Sequence, residues 1–208
     1  MRLASLASLA GVASLAAACA SPPPVTPPDY SGPRPELVEA GWISHRAEVV
    51  IDTPLSFYDA WRQEVPLSEV LPGAPGIPAV AGTEVISGDW DAVGARRRVI
   101  LADGHQAVEE VLANDGPALF RYQVWGFTSP AGRFADYAVG EFRLAEAGTE
   151  RTRVTWTYAF DPSSPLARVP LWLFVQTQFR PFMETGLERM KAGTEAAWAE
   201  QQPVRPPA

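Results

Sequence analysis

One cysteine, one lysine and two histidines are all that this chain of 208 residues holds of three chemically versatile residue types. Cys19 alone excludes an internal disulfide and any zinc site built from several thiolates. His45 and His105 are too few for a histidine-based metal or catalytic centre, so neither a metal nor a cofactor is expected. Lys191 is the only lysine among 17 basic residues, and the formal net charge is −7. That balance excludes the basic surface through which nucleic acid is bound, and it leaves no lysine cluster for anionic membranes. Templates for nucleophile elbows (GxSxG), zinc proteases (HExxH), phosphate loops and dinucleotide loops (GxGxxG) are missing as well.

Apolar side chains are plentiful: 47% of residues are hydrophobic and 10% aromatic, against 20% charged. One well-filled core of ordinary domain size follows, and a monomer is the expected form. The N-terminus stands apart from that core. Arg2 is followed by small and apolar residues from Leu3 to Ala18. This is the plan of a secretory signal peptide, and the run is shorter than the ~20 residues of a membrane span. It ends on Cys19, and Ala16-Ala17-Ala18-Cys19 resembles the bacterial lipoprotein signal, in which the cysteine is acylated and becomes the first residue of the mature chain. An ordinary secretory cut after Ala20 is the plainer alternative. The expected division is a signal peptide over 1–18, a lipid-anchored proline-rich linker over 19–41, a ligand-binding domain over 42–200 and a disordered tail over 201–208. The linker, which holds SPPPVTPPDYSGPRP from Ser21 on, reads as a semi-rigid spacer of polyproline type.

Within the domain, the β-branched run 45–52 predicts a first strand. Thr53-Pro54 predicts an N-cap with proline at the first helical position, starting a helix over 55–62, and 65–71 predicts a second short helix. Strand patterns follow at 80–86, 96–102, 106–112, 118–127, 137–145 and 152–160. Their short connections make neighbours antiparallel. Asp103-Gly104 predicts a two-residue hairpin with positive φ at Gly104, and at Asp103 too if the turn is type I′; Asn114-Asp115-Gly116 and Ala147-Gly148-Thr149 predict slightly longer ones. From 166 to 200 apolar residues recur at helical spacing, and Pro181 is expected to kink or split that helix. The economical packing is α+β: a curved antiparallel sheet with one amphipathic helix across it.

Strand alternation selects the candidate site. Arg97 shares a face with Val99 and Leu101, and Arg96 and Arg98 share the other with Ile100. If Val99 and Leu101 face the helix, Arg97 lies towards the interior and needs a carboxylate or a polar ligand group. Glu109 and Glu110 point to opposite faces, so one of them turns inwards. An inward Arg–Glu pair is most often structural; the sharper reading makes Arg97 a polar anchor at the bottom of an apolar pocket. Phe120, Tyr122 and Val124 alternate along one strand, and Val154, Trp156, Tyr158 and Phe160 along another. On the helix, Phe179, Phe182, Met183 and Leu187 would face them, with Gly186 leaving room. Such aromatics often do no more than fill a core, but two inward tyrosine hydroxyls require partners, which favours a small-molecule pocket. Both histidines are expected to face solvent.

These residues resemble the START-like, or SRPBCC, superfamily in its polyketide cyclase/dehydrase and lipid-transport branch. The resemblance rests on Trp90-Asp91, GARRRVILADG, AVEEVL, FRYQVWGFTSPAGRF, TRVTWTYAF and the terminal helix, and it runs from about residue 44 to 200. It implies the helix-grip fold: a seven-stranded antiparallel sheet wrapped around a long C-terminal helix, with one or two short helices after the first strand. It also implies a cavity for hydrophobic ligands such as lipids, sterols or aromatic polyketides. The family holds both enzymes and carriers and has no universal catalytic residues, so none is assigned. The first expectation is a cell-envelope lipoprotein that binds or carries a hydrophobic small molecule. One alternative is a cyclase or dehydratase using Glu109 or Glu110 with tyrosine hydroxyls; the other is a non-catalytic envelope interaction module.

Overall fold

The computed structural model describes residues 22–202. The signal-like leader, Cys19 and residues 203–208 of the expected tail lie outside the described residues. Seven strands form one antiparallel sheet: β1 (Ile43–Ile51), β2 (Val80–Ser87), β3 (Arg96–Leu101), β4 (Gln106–Asp115), β5 (Leu119–Trp125), β6 (Ala135–Glu146) and β7 (Thr152–Pro162). Their spatial order is β1-β7-β6-β5-β4-β3-β2. Five hairpin neighbours thus run from β2 to β7, and β1 closes the far edge against β7. Register shifts between Val80 and Gly82, Val85 and Ser87, Val111 and Ala113, and Ala135 and Tyr137 bend the strands and curve the sheet.

The helices cover the concave face. Between β1 and β2 run α1 (Leu55–Glu64) and α2 (Leu67–Val70). After β7 come a 3₁₀ turn (Pro165–Ala167), α3 (Arg168–Phe174), a π-helical segment (Val175–Phe179) and α4 (Arg180–Gln201). Pro181 does not split this helix. It falls in the first turn of α4, directly after the π-helical segment, where the i→i−4 ladder is already interrupted and its missing N–H costs little.

Two other local expectations change. Pro54, not Thr53, occupies the N-cap of α1, and no side chain caps that helix. Thr53 is buried, and its carbonyl accepts the Thr152 hydroxyl at 2.8 Å, so it ties α1 to β7 instead. The hairpin at Asp103-Gly104 holds three residues rather than two. Gly104 N–H donates to Leu101 at 2.9 Å, Leu101 N–H donates to His105 at 2.8 Å, and Gly104 alone takes a positive φ, of 87°. The connection is a three-residue one closed by a positive-φ glycine; Asp103 has no positive φ and caps His105 N–H at 3.0 Å instead.

The sheet has a core on each side. The concave core joins Val111, Phe120, Tyr122, Val154, Trp156, Tyr158 and Phe160 to Leu171, Val175, Phe179, Phe182, Met183 and Leu187. The convex core is smaller: Val108, Trp125, Tyr137 and Val139 with Tyr30. Tyr30 belongs to the segment expected as a free spacer. From Pro22 that segment is extended, but it lies across the sheet's back as a strap. Tyr30 donates its hydroxyl to Gly126 O at 3.0 Å, Arg34 bonds Gln123 Oε1 at 3.0 Å, and Val38 N–H reaches the Tyr137 hydroxyl at 2.9 Å. Apolar residues on the convex face need cover, and the strap supplies it.

Candidate functional site

Because β3, β4, β5 and β7 alternate, one side chain in two projects into the space between sheet and helix. There the packing is incomplete, and a cavity of about 590 Å³ remains. Arg97, Val99, Leu101, Phe120, Tyr122, Val124, Trp156 and Tyr158 line it from the sheet, and Phe179 and Phe182 from the helix. Thus ten of the thirteen expected ligand-binding residues surround one space.

The other three do not border it. Met183 and Leu187 are fully buried in the core between α4 and the sheet. Gly186 leaves no room for a ligand: a Cβ there would meet Leu71 Cδ2 at 2.8 Å and Trp156 Cζ3 at 3.4 Å. The missing side chain admits α2 and the indole, not a guest. The glycine that does shape the cavity is Gly140 on β6, register partner of both Tyr122 and Tyr158. A Cβ on Gly140 would collide with Tyr122 Cζ, so its absence lets the Tyr122 ring lie flat across β6.

Polar side chains also border the cavity, among them Arg62, Asp91 and Gln106, and the Arg97–Glu109 pair is the most deeply placed. Arg97 Nε donates to Glu109 Oε2 at 2.7 Å, between register partners on β3 and β4. The Arg97 guanidinium carbon lies 3.6 Å from the centroid of Trp90, whose ring edges onto Phe120 and Tyr122. Glu110 points to the convex face, where Arg96 at 2.6 Å and Arg34 at 3.1 Å hold it, so it takes no part in the cavity. Burial, followed by the Glu109 carboxylate, raises the Tyr122 hydroxyl far above the ordinary phenol range. Burial, followed by Tyr122 and then Glu109, does the same at Tyr158. Both phenols are therefore neutral donors at any physiological pH. The buried indole N–H of Trp156 lies towards the Tyr122 hydroxyl, an interaction that opposes the rise at Tyr122 without reversing it.

Neither histidine faces solvent as expected. His105 is buried, its Nδ1 3.0 Å from Thr128 Oγ1, because the three-residue turn folds it inwards beneath the connection after β5. His45 is half-buried, and burial followed by Arg180 lowers its pKa below the usual value. Among the described residues no cluster of His, Cys, Asp or Glu is arranged to hold a metal.

Several lining residues were not among the expected site residues. Trp90 belongs to the β2–β3 connection, Phe127 and Ala131 to the β5–β6 connection, and Tyr58 and Arg62 to α1, which folds over the open side of the sheet. Trp90 stood next to Asp91 in a recognisable motif, and that was its only signal.

With this geometry in place, comparison with known proteins gives a consistent picture. A family model described as polyketide cyclase / dehydrase and lipid transport matches residues 67–195. No curated protein sequence matches the chain. Among solved structures, the aromatase/cyclase Zhui of Streptomyces sp. R1128 is similar at a TM-score of 0.60 and 12% identity, covering 76% of this chain and 96% of its own. A norcoclaurine synthase of Thalictrum flavum in complex with a transition-state analogue reaches 0.57 at 12% identity, covering 78% and 99%. TTHA0849 of Thermus thermophilus reaches 0.56 at 20% identity, covering 74% and 98%. At these identities the likeness is one of fold.

Proposed function

The chain belongs to the polyketide cyclase / dehydrase and lipid transport family, and from that premise we propose that it is a carrier of a hydrophobic small molecule bearing one or two hydrogen-bonding oxygens. The observation that supports this reading is the cavity itself: about 590 Å³, with aromatic and aliphatic walls and a few convergent donors. Tyr122 and Tyr158 offer hydroxyl donors to a carbonyl or hydroxyl oxygen; the apolar walls take the rest. Carriage is favoured over acid–base chemistry because Glu109, the carboxylate deep in the cavity, is committed to Arg97. Two phenols with strongly raised pKa values are poor general bases near neutrality.

Cys19 is the acylated first residue of the mature protein in this proposal, and the domain works in the cell envelope. The charged start, the apolar run and the lone cysteine support that placement. A Cys19→Ser variant is then released from the membrane fraction. A wild-type protein found soluble with Ser21 as its first residue sinks the anchor.

The carrier reading is tested by native mass spectrometry of the freshly purified protein and by titration with the apolar fluorophore N-phenyl-1-naphthylamine. One probe binds per chain, and Val99→Trp, which fills cavity space, lowers its affinity at least tenfold with cooperative unfolding retained. Absence of both co-purified ligand and probe uptake overturns the proposal.

A further inference from the structure

Among the described residues, four of the eight exposed large hydrophobic side chains gather in one place. They are Leu166, Val169, Trp172 and Leu173, on the 3₁₀ turn and α3; the other four, Val25, Val38, Val85 and Val93, are scattered. Leu166 is 89% exposed, Val169 74%, and Trp172 and Leu173 53% each. Their spacing of three to four residues puts them on one outward stripe of the 3₁₀ turn and α3. The opposite side of the same short helix supplies Leu171 and Phe174 to the cavity wall. One turn of helix separates the exposed stripe from the ligand space.

We infer that this stripe is a docking face for a lipid bilayer, on which the domain rests while its cavity exchanges ligand. The inference rests on the carrier reading above and adds the surface through which that carrier works.

The make-up of the stripe supports a lipid occupant. From Pro162 to Met183 the chain has no carboxylate side chain, and its charges are Arg168 and Arg180, the latter paired with Glu184 at 2.9 Å. Arg168 bonds the Gly41 carbonyl and has no carboxylate partner among the described residues. The stripe itself carries no carboxylate, although Asp103, Asp136 and Asp161 stand at the same end of the sheet, and Trp172 has the amphipathic ring favoured at headgroup depth. Among the described residues no helix is long and apolar enough to cross a membrane, so the contact is a surface one.

Where the chain enters the structure points the same way. Antiparallel order places the ends of β3, β5 and β7 and the starts of β4 and β6 at one end of the sheet. Ser163 N–H bonds Phe134 O at 3.0 Å and Thr128 N–H bonds Gln106 O at 2.9 Å, which joins the α3 approach, the β5–β6 connection and the β3–β4 turn into one surface. Pro23 packs against that surface at Gly104, where an added Cβ would lie 3.1 Å from its ring. Three peptide steps separate Pro22 from Cys19, a reach of at most about 11 Å. A tether at Cys19 would thus leave from the end of the molecule that carries the stripe.

The test uses the full chain with Cys19→Ser, so that no acyl group contributes. Leu173→Cys in that background is the only cysteine and takes an environment-sensitive fluorophore; Val85→Cys, exposed on β2, is the control. With vesicles of phosphatidylcholine and phosphatidylglycerol, the label at 173 shifts to the blue and the label at 85 does not. Trp172→Ser with Leu173→Ser lowers vesicle co-sedimentation at least tenfold and leaves uptake of N-phenyl-1-naphthylamine unchanged. Unshifted emission at 173 overturns the docking face, and so does a concentration-dependent dimer that buries it. Vesicle binding without any probe uptake keeps the docking face and removes the carrier.

Discussion

Arg97 and Glu109 are register partners on adjacent strands, and their side chains close a 2.7 Å ion pair on the concave face beneath the Trp90 ring. The pair decides how the cavity's charge behaves. A lone arginine would demand an anionic ligand, and a lone glutamate would be a candidate base. Together they form a neutral, polar floor beneath the aromatic walls, suited to a ligand with an uncharged oxygen.

Both partners are nearly buried, so removing one strands the other. Arg97→Leu is expected to cost about 3–5 kcal/mol, whereas Arg97→Leu with Glu109→Leu recovers most of that loss. Urea unfolding of the two singles and the double checks it. Equal additive losses would show that the pair is not coupled.

Gly140→Ala forces the Tyr122 ring off β6, since the new Cβ would collide with its Cζ. A rigid ring with no free end must move into the cavity. The expected result is a loss of about 1–3 kcal/mol and weaker probe binding. Tyr122→Leu in the same background relieves the clash and recovers stability, which separates crowding from any intrinsic effect of alanine.

The strap's weight is tested at Tyr30. Tyr30→Phe removes the hydrogen bond to Gly126 O and is expected to cost about 1 kcal/mol. Tyr30→Ala also uncovers Val108, Trp125, Tyr137 and Val139 and is expected to cost about 3–5 kcal/mol. Thermal unfolding of the pair measures the difference. Tyr30→Ala melting with the wild type would mean that the strap is a passive spacer after all.

Alternation made the concave face legible before any coordinates, because period two fixes which side each strand residue takes once one apolar pair is oriented. Arg97, Tyr122 and Trp156 were placed that way. Loops and helix depth were not legible. Trp90 reaches the cavity from a connection that has no period, and Gly186 sits on the inward stripe yet faces Leu71 rather than the void. The strap was hidden for a different reason. Proline-rich, polar composition describes backbone extension equally well in solvent and against a sheet; only the apolar convex residues Trp125 and Tyr137, which need cover, distinguish the two. His105 misled because an Asp-Gly pair serves both two-residue and three-residue turns, and one extra residue turns the next side chain inwards.

The buried phenols give the protein a characteristic alkaline limit. Burial raises the hydroxyls of Tyr58, Tyr122 and Tyr158 well above the ordinary 10.0. Below pH 10 these groups are protonated in folded and unfolded chains alike, so they contribute no pH dependence there. Above it the unfolded chain releases protons that the folded chain retains, and stability falls by about 1.4 kcal/mol per pH unit for each phenol. Phenolate absorbance from these three residues should therefore arise together with unfolding, not before it. In a Tyr122→Phe, Tyr158→Phe variant only Tyr58 remains of the three, so the fall in stability above pH 10 should be shallower by roughly two thirds of their joint slope. Urea unfolding at a series of alkaline pH values measures both slopes. Reversible phenolate formation at Tyr122 or Tyr158 in the still-folded protein would show that water enters the cavity freely, and the apolar site would lose its physical basis.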